Sequence, residues 1–405
     1  MSFVEFGIAL VKIALILFAL LTGAAYLVLL ERWIAAWVQD RRGPNRVGIP
    51  FTKIKMFGLG QPLADGLKMI FKEEYTPSHV DKFLYTLAPI SIMAAAIIPF
   101  AVIPFGSVLP PFSIAGEAIN IQLVLAPNVD VGMIFVFAMG SIAVYGVILG
   151  GWASNNKYSF LGGLRSSAQL IAYELPLGLG ILGVVLATGS LRLEDIIRQQ
   201  ADTGVWNVIM QPIGFLVFMV ASFAESARLP FDLPEAEQEL IGGYHTEYSG
   251  LRLLLYLIAE FLHMVTAAFL ISILFLGGWH LWGVTGSGDE SITWVTALLR
   301  VAVLLAKVFG MILFFMLVRW SWPRFRFDQL MALAWKVMLP LGMVNLAIMA
   351  VVVEYQTQIL RALGGSQAAL IALMWAIAIL AWVIAGLISP LATDNRPRVE
   401  LSDRL

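Results

Sequence analysis

Nine stretches of the chain stay apolar over about the 20 residues that a membrane-crossing helix needs: 6–30, 83–105, 131–151, 167–187, 208–227, 251–278, 294–318, 335–353 and 367–388. The first eight read as one unit. The ninth follows the polar hairpin EYQTQILRALGGSQ and reads as an appended helix. Gln169, Glu174 and Pro176 interrupt the fourth stretch, and Gln211 and Pro212 open the fifth. The pattern predicts an all-α polytopic membrane protein with eight core transmembrane helices over residues 1–355, and an appended helix and tail over 356–405. Between the first two stretches, GLGQPLADGLKMIFKEE sets Leu63, Leu67 and Ile70 on one helical face and Asp65, Lys68 and Lys72 on another, with Pro62 suited to the first turn. That helix is too short and too charged to span, so it is expected to lie along the membrane interface.

Composition sharpens the class. Hydrophobic residues make up 60 % of the chain and charged residues 13 %, against roughly 25 % charged in soluble domains. The first stretch is too long for a signal peptide, carries Glu5 ahead of any base and has no small-residue cleavage site after it, so it is expected to remain as a membrane helix. No internal repeat or symmetric pair of broken helices occurs, which counts against a secondary transporter. A net charge of −1 is uninformative about partners, but the placement of the charges is not. Twenty Lys and Arg fall on one set of alternating loops and the tail, against Arg192, Arg198 and Arg361 on the other, while Lys12, Arg300 and Lys307 lie within helices. The positive-inside rule then puts the N-terminus outside. The loops 31–82, 225–250 and 319–336 and the C-terminus would face the cytoplasm.

Cysteine is absent, which excludes Cys-ligated iron–sulfur clusters, c-type haem attachment, disulfides and thiol catalysis. Of the four histidines only His263 and His280 fall on or near a spanning stretch, and it is the same one. A haem held between two helices is therefore not expected, nor is a metal site. Any redox reaction served by this chain must take its electrons from another polypeptide or from a mobile carrier.

The candidate chemistry lies in charges at the membrane boundary and inside it. LLERWIAAWVQDRRGPNRVG puts Glu31 and Arg32 at the membrane exit, with Arg41, Arg42 and Arg46 around a Gly-Pro-Asn turn. This segment suits either lipid anchoring or an electropositive portal for the polar head of an amphiphile. Glu174, Glu225 and Glu260 sit on three different stretches at comparable depth, with His263 one turn beyond Glu260. Ionisable groups at such depth are costly unless paired or hydrated. Lys307 or Arg228 could pair with one of them; otherwise the three form a hydrated polar line. AESARLPFDLPEAEQEL packs Glu225, Asp232, Glu235, Glu237 and Glu239 into residues 225–239. Pro234 could open a short helix with a solvated acidic face, ended by Gly242-Gly243. Alternatively the carboxylates continue into the membrane through Glu225 and Glu260, with Glu247 nearby, as a coupled proton relay or charge sensor. In VRWSWPRFRFDQLMALAWKVMLPL, Arg319, Arg324, Arg326 and Lys336 serve as anchors, or Arg324 and Arg326 share a pocket with Arg228.

The motifs ER…RRGPNRVG, QPLADGLK…FKE, AQLIAYELPL, FAESARLPFDLPEAEQELIGGYHTEYSG and PRFRFDQLM…WK…LPL, in unbroken order over about residues 6 to 353, resemble the H-subunit family of proton-pumping NADH:quinone oxidoreductases (respiratory complex I), counterparts of mitochondrial subunit 1. The resemblance implies a membrane component that completes a quinone chamber and couples quinone reduction to proton translocation, in a bacterial cytoplasmic membrane. NADH, FMN and iron–sulfur clusters would belong to partner subunits of the peripheral arm, and proton-pumping subunits of the membrane arm would adjoin. Membrane lipids are expected as neighbours and nucleic acid is not. By motif, Arg32, Arg41, Asp65, Arg228, Arg324 and Arg326 would line the quinone channel. Glu174, Glu225, Asp232, Glu235, Glu237, Glu239 and Glu260 would form the acidic path. Trp33 stands where the family pattern carries a base, and Phe261 and His263 stand where it carries an aromatic hydroxyl and an amide. A homologous membrane anchor of a hydrogenase or related dehydrogenase is the alternative reading.

Overall fold

The computed structural model describes residues 3–48, 57–110, 112–114, 117–119, 121–127, 129–232, 240–282, 284–286 and 292–392. The main helices are α1 (Phe3–Val38), α2 (Gln61–Ile70), α3 (Lys82–Ile97), α4 (Gly132–Ala153), α5 (Lys157–Thr188), α6 (Leu193–Thr203), α7 (Pro212–Glu225), α8 (Gly250–Leu274), α9 (Trp294–Ser321), α10 (Phe327–Glu354) and α11 (Gln367–Ala392). Among the described residues all but α2, α6 and α7 are long and apolar enough to cross a membrane. A hairpin of three-residue strands, Phe112–Ile114 and Glu117–Ile119, accompanies them. The all-α polytopic architecture read from the apolar pattern is the one observed.

Three elements depart from the pattern. α1 continues to Val38, past the apolar run that stops near residue 30, because Ala35 and Ala36 favour helix and the first breakers come only at Asp40 (φ 50) and Gly43-Pro44. Glu31 and Arg32 therefore sit on a rigid helix and not on a loop. α5 starts ten residues before the apolar stretch, with the Asn156 side chain accepting the Tyr158 N–H as an N-cap, and it runs through Pro176 unbroken. α7 holds only 14 residues, about 21 Å at 1.5 Å per residue, short of the ~30 Å hydrocarbon core. A one-turn helix, Asn207–Met210, precedes it, and the helix is interrupted at Gln211-Pro212. The buried amide that this interruption leaves without a helical partner is satisfied from α10, whose buried Asn345 accepts the Gly214 N–H at 3.1 Å.

The helices run alternately between two ends. One end gathers the segment after α1, the α4–α5 turn, residues 226–249 and the α9–α10 connection: the Asp81 N–H reaches Ala153 O, Asn156 reaches Glu247, and the Phe325 N–H reaches Pro230 O. This is the basic end. At the other end Lys12 donates to the carbonyls of Gln122 and Val124, and Arg300 to that of Thr285. Lys307 there donates to Leu276, Gly278 and His280 and stacks over Trp206. The three bases within helices thus bind backbone carbonyls at the end opposite the basic loops. α8 is enclosed on nearly all sides, packed by α3, α9 and α1, and forms the axis on which the charged sites are hung.

Candidate functional site: a basic-end chamber and an internal carboxylate cavity

The far turns of α1, the chain at Arg228 and the end of α9 meet over α8 and enclose a chamber of about 600 Å³. Glu31 lines it. Its carboxylate accepts from Arg228 at 2.9 Å and from Arg319, and both Glu31 and Arg228 are buried. Two guanidiniums on one carboxylate leave the group with a net positive charge. The Arg228 guanidinium also lies 4.1 Å from the Phe261 ring centroid, a contact that holds the cation in a low-dielectric wall. At the rim Arg32 pairs with Asp65 at 2.6 Å, and Gln61 donates to the other Asp65 oxygen at 2.9 Å. α2 is thereby tied to α1, with Leu63, Leu67 and Ile70 left exposed on its far face. Arg41, His245 and Glu260 line the same chamber. The Trp33 indole donates to the Pro44 carbonyl at 3.0 Å and fastens the turn after α1.

Glu260 also belongs to a second, narrower cavity of about 50 Å³ between α4, α5, α7 and α8. Glu174, Glu225 and Glu260 all line it, with Ser141, Tyr244 and His263. Ser141 donates to Glu174, and the Tyr244 hydroxyl lies 3.4 Å from Glu260 Oε1. Glu174 and Glu225 are close enough to repel when both are charged. Among the described residues no Lys or Arg lines this cavity. At roughly 15 Å³ per water site, it has room for a few water molecules among its polar groups.

Local packing explains how the cavity is shaped. On α4, Gly140 faces Glu225: a Cβ there would stand 3.1 Å from the carboxylate oxygen. Gly162 of α5 meets the backbone of Gly243 (φ +61) so closely that any side chain would clash. That contact presses the turn bearing Tyr244 and His245 against the bundle. Gln169 donates to the carbonyls of Ala224 and Phe231, both at 2.8 Å, and so fixes the end of α7 on either side of Arg228. Tyr244, Tyr256 and Tyr248 meet edge to face in sequence, and Tyr248 stacks on Tyr85. Burial pushes the Tyr248 hydroxyl well above the ordinary tyrosine range, so it stays protonated.

The structure does not bring together all the residues picked out from the sequence. Arg32, Arg41 and Arg228 line the chamber and Asp65 closes its rim, but Arg324 pairs with buried Asp232 at 2.8 Å, and Arg326 is exposed. The pocket expected to join Arg228 with Arg324 and Arg326 is instead completed by Arg319. Asp232 sits in that ion pair and not in the carboxylate cavity. Glu247 accepts from Asn156 at 2.6 Å at the basic end. Lys307 and Arg228, expected as ion-pair candidates for the membrane carboxylates, are engaged with backbone carbonyls and with Glu31 respectively. Glu235, Glu237, Glu239 and the short helix expected from Pro234 lie outside the described residues. Sequence reasoning passed over Glu31, Arg319 and His245 as chamber residues. The adjacent acid and base Glu31-Arg32 at a membrane exit were the available signal for the first; Arg319 carried none beyond its charge.

The helical bundle, its arginine-rich chamber of ligand size and the carboxylate cavity beside it define an integral membrane protein with a charged interior. Comparisons with known proteins supply the family. A family model described as NADH dehydrogenase matches residues 11–350. The chain is 46 % identical over 344 residues to the NADH-quinone oxidoreductase H subunit 1 of Geobacter metallireducens, covering 85 % of this chain and 96 % of that one. It is 46 % identical to the NADH-quinone oxidoreductase H subunit of Leptospira biflexa, over 82 % of this chain and 91 % of that one. It is 45 % identical to the NADH-quinone oxidoreductase H subunit 2 of Rhizobium meliloti, over 86 % and 98 %. The chain belongs to the H-subunit family of NADH-quinone oxidoreductases, and is a membrane component of that multi-subunit enzyme, complex I.

Proposed function

We propose that the chamber receives the quinone headgroup and that the carboxylate cavity carries the resulting charge or proton signal into the membrane. The observation that carries this reading is that Glu260 borders both cavities. At about 600 Å³ the chamber falls in the ~300–1,000 Å³ range of small-molecule sites. Its wall contains Arg319 Nε and the Trp320 indole N–H, buried donors with no acceptor among the described residues. A quinone carbonyl is an acceptor. The apolar groove between α1 and α9, lined near the basic end by Leu27, Leu30, Trp33 and Leu59, adjoins the chamber-lining face of α1 and suits an isoprenoid tail.

Quinone reduction takes two electrons, supplied from a partner polypeptide, and two protons. Before the protons arrive, the excess positive charge around Glu31 stabilises the negative charge on the headgroup. Glu260 faces that charge at the chamber wall, and its proton occupancy responds to it. Tyr244, held against Glu260, and the Ser141-bonded Glu174 continue the polar line to Glu225. The basic end faces the cytoplasm of a bacterial inner membrane, where the peripheral arm docks; Glu235, Glu237 and Glu239 are assigned to the acidic path by their motif alone. Flavin and iron–sulfur clusters reside in partner subunits.

Replacing Glu260 or Glu225 by Gln in the assembled complex tests this reading, with NADH:quinone electron transfer and proton translocation measured together. Electron transfer is expected to persist while protons moved per electron drop. Full translocation in both variants overturns the reading.

A further inference from the structure

The family match ends at residue 350, so α11 lies beyond it. It turns back through Gln356–Ala362 and the glycine pair Gly364-Gly365, both at positive φ, and returns antiparallel to α10. Its first turns pack on Met349 and Val352 of α10, and its later ones reach Met338.

What α11 covers is α7. α7 is too short to span, and the helix is interrupted just before it at Gln211-Pro212. One side of α7 lies on α5, where Phe218 packs against Gly180. The adjacent face, at Ile213 and Val217, is closed by Ala378, which is completely buried, and by Trp382. Just before the break, the Trp375 indole donates to the Ile209 carbonyl at 3.0 Å. α11 thus grips the chain on both sides of Gln211-Pro212. The last residue of α7 is Glu225.

We propose that α11 is a built-in brace for α7, with Trp375 and Ala378 as positioning residues that set where the Glu225 carboxyl lies in the cavity. A helix of 14 residues with a broken start slides or tilts more readily than a continuous span, and a lateral clamp opposes both motions. Its consequence for proton translocation rests on the reading above that Glu225 belongs to the proton path; its consequence for the position of Glu225 does not.

The test separates the two. The complex carrying Trp375→Phe, Ala378→Leu or neither is treated with a hydrophobic carbodiimide. Adduct formation at Glu225 and Glu260 is followed by mass spectrometry, beside electron transfer and protons moved per electron. Glu260, on α8, is the internal reference. Both variants are expected to change the labelling rate of Glu225 relative to Glu260, Trp375→Phe by about fivefold, the change that one lost hydrogen bond permits. Protons per electron should fall at near-parental electron transfer. Changed labelling with an unchanged proton ratio upholds the brace and overturns the role of Glu225 in the proton path. Unchanged labelling, whatever the ratio, overturns the brace, as does a rise at Glu225 and Glu260 together, which marks general loosening. Should Ala378→Leu fail to assemble, Trp375→Phe keeps an aromatic ring, removes only the donor, and decides the question alone.

Discussion

The chamber and the carboxylate cavity share Glu260 but treat their acids in opposite ways. In the chamber Glu31 is buried between two guanidiniums, and Asp65 at the rim holds a third. In the cavity Glu174 and Glu260 meet hydroxyl groups of Ser141 and Tyr244, Gly140 stands open before Glu225, and no Lys or Arg among the described residues lines the wall. An acid clamped between arginines is fixed in place by partners that keep their charge at any physiological pH. An acid partnered by hydroxyls meets groups that can either donate or accept a hydrogen bond. The same residue type is thus cation-clamped in one region and hydroxyl-partnered in its neighbour.

The largest expected effect comes from breaking the scaffold. Arg228→Ala leaves Glu31 buried with one partner and strips the Phe261 ring of its cation. A loss of about 3–5 kcal/mol is expected for a broken buried pair. It should be read as reduced assembly and a lower melting temperature of the complex; a variant with normal melting behaviour would put Glu31 in a much wetter setting than the structure shows. A subtler change addresses the cavity. Gly140→Ala brings a methyl group to 3.1 Å from the Glu225 carboxylate, which must shift by a few tenths of an ångström, while α4 itself gains up to about 1 kcal/mol from the replaced glycine. Its signature is a lower proton-to-electron ratio with quinone reduction preserved; an equal fall in both would mean the cavity and chamber are not functionally distinct. The smallest effect is expected at Arg326, which is exposed and lines neither region. Arg326→Ala should shift stability by no more than about 0.5 kcal/mol and leave the apparent KM for quinone unchanged. Arg319→Ala should raise that KM, so the pair of variants shows which arginine completes the chamber.

Several features of this arrangement were legible from residues alone. The apolar stretches marked the helices, because an uncharged run of about 20 residues has few other uses in a chain of this composition. Lys and Arg placement marked one end of the bundle, and the helical spacing around Pro62 marked α2. Depth along three stretches was enough to group Glu174, Glu225 and Glu260, even though α5 starts earlier than its apolar run suggested. The pairing of arginines with acids was not legible. Arg319, Arg324 and Arg326 lie close together and look equivalent as a string. Only the fold turns the first toward Glu31, the second toward Asp232 and the third to the surface.

Hydrophobic patterning by itself determined the membrane class, the order of apolar helices, and the depth of the carboxylates, because those depend on transfer of side chains along one dimension. Tertiary structure decided which charge neutralises which, that α7 falls short of a span and is capped by Asn345 from another helix, and that one glutamate serves two cavities. Those outcomes depend on which helices become neighbours. Glu31, Arg228 and Arg319 meet only because α1, the end of α7 and α9 converge on α8, and nothing in local sequence spacing records contacts between such distant parts of the chain.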